Sequence, residues 1–216
     1  MAAEREEDEH RRRSEFMQAI TTEHFVLQSA RSLSGTEIAI RSSLYFTTLS
    51  SAVVALALVA QVSRLGEAFR IFPLVILPVV FFIGLVSYGR MLQNQMEFII
   101  YGRSIDRIRQ LYAEIEPSQA HYFQSTQADG AALAALGLFK LRWQQFLTIT
   151  ATIAIVNGVV GGVFVALVVS DVLAIPGWAA TAAGAAVALL IAAVFLRHQW
   201  QAWRRLQAAL GRKQPA

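Results

Sequence analysis

The sequence predicts an all-α, polytopic membrane protein with four transmembrane helices in two hairpins, plus cytosolic helical extensions. Three observations lead there. The chain holds four apolar runs of about the 20 residues that a helix needs to cross a hydrocarbon core. Of its 216 residues 55% are apolar and only 16% charged, where a soluble domain carries nearer a quarter charged. The basic residues gather at alternate run ends. Six Lys and Arg precede the first run, six lie between the second and third, and five follow the fourth, against Arg64 and Arg70 alone in the short links. The positive-inside rule then puts both termini and the central polar region in the cytoplasm of an inner or plasma membrane.

Residues 1–15, MAAEREEDEHRRRSE, have almost nothing apolar to bury and read as a disordered leader. Residues 16–43 read as a cytosolic amphipathic helix. Phe16, Ile20, Leu27 and Ala30 fall near one face, with Val26 and Leu33 beside it. Ser34-Gly35-Thr36-Glu37 matches a capping box, which predicts a break near Ser34 and a fresh helix from Thr36.

Residues 44–89 form the first transmembrane hairpin: Leu44 to Ser63, the link RLGEAFR, then Ile71 to Gly89. Pro73 falls in a first turn, where its missing amide costs little, whereas Pro78 predicts a kink. The second of these helices continues past Arg90 as an amphipathic rod to Glu116-Pro117. Phe98, Tyr101, Ile105, Ile108, Tyr112 and Ile115 alternate gaps of three and four along it, a heptad seam.

Residues 90–145 are the cytosolic helical region. After the rod, Ser118 to Thr126 reads as a short helix. Asp129 then caps AALAALGLF, which is too short to span. Residues 146–196 form the second hairpin, from Phe146 to Ser170 and from Val172 to Leu196. Residues 197–216 are a cytosolic basic tail. Trp143, Trp178, Trp200, Trp203, Tyr45 and Tyr88 all fall at predicted membrane interfaces.

Small residues recur four apart in the third run: Thr150, Ala154, Gly158, Gly162, Ala166 and Ser170. The fourth run repeats the device with Ala180, Gly184, Ala188 and Ala192. Lipid tails give helices no hydrophobic reason to associate, so close backbone approach must hold them. The rows therefore serve packing within a hairpin or contact between subunits. No ionisable residue lies within a run; Asn157 is the notable polar one, an interhelix hydrogen bond or a pore-lining group.

The chain has no cysteine, which excludes disulfides, thiolate metal sites and thiol nucleophiles. Its net charge of +4 reflects membrane flanking, so no nucleic-acid partner is expected. His24 and His121 lack metal-ligand spacing, and no nucleotide or nucleophile motif occurs. No cofactor, metal site or catalytic residue is therefore expected, and the protein is not read as an enzyme. The expected partners are membrane lipid and further copies of the chain. Beyond those, the arginines at 103, 107 and 109 fit an anionic ligand, and the rod a cytosolic protein. Two functions remain open. One is a homo-oligomer whose cytosolic helices control a membrane bundle, channel-like or membrane-disrupting. The other is a non-catalytic anchor or accessory subunit that docks a cytosolic partner.

Overall fold

The first apolar run does not begin a helix; it lies well inside one. In a computed structural model describing residues 2–64, 66–122, 148–172 and 175–211, α1 spans Ala2–Val62, 61 residues without a break. The leader expected to be disordered is thus helical from Ala2. Its Glu- and Arg-rich composition favours helix locally, Glu4 in the first turn suits the helix dipole, and Asp8 pairs with Arg11 one turn on. The break expected at Ser34 is also absent. Ser34 Oγ donates back to the Ala30 carbonyl at 3.2 Å and Thr36 Oγ1 to Ser32 at 3.0 Å. Neither hydroxyl caps a new helix. Both serve the turn already running.

The link after α1 is shorter than RLGEAFR. Gly66 N–H donates to the Ser63 carbonyl at 2.9 Å, Arg64 takes a φ of 47°, and α2 starts at Glu67. α2 spans Glu67–Ile115, 49 residues that contain both Pro73 and Pro78 and carry the apolar run into the rod. It stops before Pro117, as expected. A 3-10 helix, Pro117–Tyr122, covers the start of the short helix expected at Ser118 to Thr126. The later part of that element, the Asp129 cap, AALAALGLF and Trp143 lie outside the described residues. α3 spans Ile149–Val172 and α4 spans Gly177–Gly211.

Among the described residues every regular element is helical. Four of the helices are long and apolar enough to cross a membrane. The chain forms two compact units. The first holds Met1–Thr36 with Gln95–Leu141, the second Glu37–Asn94 with Arg142–Ala216.

In the second unit α3 is the most enclosed helix. Ala151, Ile153, Ala154, Asn157, Gly158, Val160, Gly161 and Gly162 are all buried. Ile155, Val159 and Val163 remain outside on its other face. In the first unit the buried stripe of α1 differs from the expected apolar face. Met17, Ile20, His24, Leu27, Arg31 and Ser34, at gaps of three and four, are half-buried or buried. Phe16, Val26 and Leu33 are exposed. The stripe keeps the heptad period, but half of its members are polar, which hides it from a count of apolar residues.

Candidate functional site

Two clusters collect the residues singled out by sequence, one in each unit. The cluster in the second unit centres on Asn157, which is fully buried. Its Nδ2 donates to the Phe81 carbonyl of α2 at 3.2 Å, and its Oδ1 accepts from the Tyr45 hydroxyl of α1 at 3.3 Å. A carboxamide both donates and accepts, so one side chain on α3 satisfies groups on two other helices. Gly84 makes the room. A Cβ there would fall against the Asn157 carboxamide and within 2.7 Å of the Tyr45 ring.

Tyr45, expected at a membrane interface, is fully buried against Asn157. Tyr88, with the same expectation, is enclosed as well. It is buried, stacks on Phe195 with ring centroids 4.6 Å apart, and donates its hydroxyl to the Phe195 carbonyl at 2.6 Å. Both phenols found partners inside the protein, because a buried O–H must be bonded. Trp178 is 79% exposed. One helical turn beyond Phe195, Gln199 is buried and donates to Thr148 Oγ1 at 3.1 Å. At the opposite end of α3, Asp171 accepts from Arg70 at 3.0 Å.

The small-residue rows meet within the chain. A Cβ on Gly158 would lie 2.8 Å from the Ala188 carbonyl and 3.2 Å from the Ala192 amide. One on Gly162 would strike Gly184 and Ala188, and one on Gly184 would lie 2.7 Å from the Ala166 side chain. Numbers rise on α3 as they fall on α4, so the two pack antiparallel with backbones in near contact. Gly161, next to the row, admits Phe81 and Ile191. It was not singled out by sequence because it lies off the four-residue repeat.

In the first unit, the rod seam lies against the polar stripe of α1. Ile105 is buried, and Phe98, Tyr101, Ile108 and Tyr112 are half-buried. The Arg31 guanidinium sits 4.4 Å from the centre of the Phe98 ring, a cation–π contact, and Gly102 packs beside the same side chain. Further along, His24 approaches Tyr112 at 6.4 Å between ring centroids. The seam residues therefore have neighbours in their own chain. Asp106 pairs with Arg109 at 3.7 Å. Near the start of the second unit, Arg41 donates to Glu37 at 2.9 Å. That bond, with Asn94 beside it, holds the Glu37 carboxyl below its usual range.

Among the described residues no three metal-ligating side chains gather. The arrangement is one of helix-to-helix contacts, in which Asn157, Tyr45 and Tyr88 each bond another helix and Gln199 bonds Thr148 just before α3. No protein-family model, curated protein or solved structure matches the chain.

Proposed function

We propose that the protein is a homo-oligomeric membrane protein whose cytosolic helices control a four-span bundle, channel-like or membrane-disrupting in action. In this reading the spans form two hairpins, and both termini and the central polar region are cytoplasmic. The supporting observation is the continuity of α1 and α2, at 61 and 49 residues. Each joins a polar arm to an apolar segment with no interruption of the helix. A helix held by consecutive i→i−4 bonds passes a tilt or rotation along its length. In this reading an event at the arms, such as binding an anionic ligand at the rod arginines, acts on the bundle through these two helices.

A second reading, an anchor that docks a soluble protein, draws on a different observation. Phe25 and Leu33 on the polar arm of α1 are 66% and 69% exposed. Apolar side chains at such exposure suit a docking face.

The test combines mass and flux. Light scattering in mild detergent should give a multiple of the 23.8 kDa chain, and reconstituted liposomes should release a small ionic dye. A monomer that releases nothing overturns the first reading in favour of the second.

A further inference from the structure

The outward face of the α1 span carries a polar stripe beside exposed Leu44, Val53, Leu58 and Val62. Toward the bundle, α1 presents Tyr45, Leu49, Ala52, Leu56 and Val59, all buried or half-buried. On roughly the opposite side run Ser43, Thr47, Ser50, Val54, Ala57 and Gln61, again at gaps of four and three, and every one is exposed. The outward faces of the neighbouring helices show what lipid contact requires. α2 turns out Val75, Val79, Phe82 and Val86, and α3 turns out Ile155, Val159 and Val163. α3 and α4 also expose Thr152 and Thr181, whose hydroxyls return to their own helices; among the described spans α1 is the one that adds a carboxamide to several outward hydroxyls.

Those groups are also unbonded. Thr48 Oγ1 returns to the Leu44 carbonyl at 2.8 Å and Ser63 Oγ to Val59 at 2.6 Å, the ordinary way a hydroxyl is satisfied on a helix. Ser43, Thr47, Ser50 and Gln61 make no side-chain hydrogen bond within the described residues. Hydrocarbon offers them no partner, and an unmet hydroxyl or amide is unfavourable there.

We infer that this stripe is the contact through which a second copy of the chain binds, α1 against α1. The inference rests on the membrane-spanning, self-associating reading above and names its interface. The chemistry selects a copy over another partner. Hydroxyls and a carboxamide each donate and accept, so the stripe is complementary to itself in register. It carries no charge, so like residues brought together do not repel. Its side chains are small at all but two positions, which lets backbones approach. The small-residue rows on α3 and α4 are occupied by each other and so do not serve a second copy.

The cysteine-free chain allows a direct test in its native membrane. Ser50→Cys and Ala57→Cys should form disulfide-linked products of twice the chain mass on mild oxidation. Val53→Cys and Val79→Cys, on other outward faces, should not. Gln61→Leu should weaken self-association roughly three- to twentyfold by light scattering across a detergent dilution series. Cross-linking at Val53 or Val79 with none at Ser50 or Ala57 overturns the interface while leaving an oligomer. A product of another mass at Ser50 or Ala57 overturns the second copy as occupant. No product at any position, with a monomeric mass, overturns the interface and the oligomeric reading together.

Discussion

Gly84 lacks a side chain where Asn157 and Tyr45 occupy the space one would need. Gly84→Ala should therefore force the carboxamide or the ring aside, at a cost of about 1–3 kcal/mol. Tyr45→Phe keeps the ring and removes only the hydroxyl, so it should cost less, about 0.6–1.7 kcal/mol. Thermal melts in detergent, followed by circular dichroism, check both; two parent-like melts would mean that this contact does not hold the helices together. Asn157 was legible in the sequence, since a lone carboxamide in an apolar run has few stable fates. Tyr45 was not. A tyrosine at a run end has the signature of an interfacial anchor, and its partner lies 112 residues away. Gly84 gave a faint signal, a single small residue among PVVFFIGLV, of the kind that marks close approach.

At the scale of elements, α3 and α4 follow the four-residue spacing of their small residues. Gly162→Leu should drive a bulky side chain into Gly184 and Ala188 and destabilise the pair by about 1–3 kcal/mol. Val163→Leu, on the exposed face, should be near neutral. Because the row meets its partner in the same chain, melting should fall for Gly162→Leu while mass in detergent holds; a smaller mass would move the row to a subunit contact. The α1 stripe was harder to read than these rows. His24, Arg31 and Ser34 occupy seam positions, and hydropathy discards them. Arg31 holds such a place because its guanidinium can lie on the Phe98 ring. The break expected at Ser34 failed for a related reason. A capping box is a local signal, and a helix with packing on both sides of it has no cause to stop.

For the whole molecule, the sidedness of the helices is the property most open to direct measurement. Glu67 and Ser118 are both exposed. If the proposed orientation holds, Glu67→Cys should react with an impermeant thiol reagent in intact cells, and Ser118→Cys only after lysis. Labelling at 118 in intact cells would reverse the orientation. The four apolar helices were plain in the sequence because lipid dictates their length and composition. The division into units was not, since it cuts α1 and α2 at points where neither helix is interrupted and no residue pattern changes sharply. The Tyr45–Asn157 bond also sets an order for biogenesis. A ribosome delivers Tyr45 112 residues before its acceptor, an interval of roughly 5–20 s at ordinary synthesis rates. For that time Tyr45 waits for the acceptor it has among the described residues. A chain truncated between the second and third helices would keep the Tyr45 hydroxyl without that acceptor.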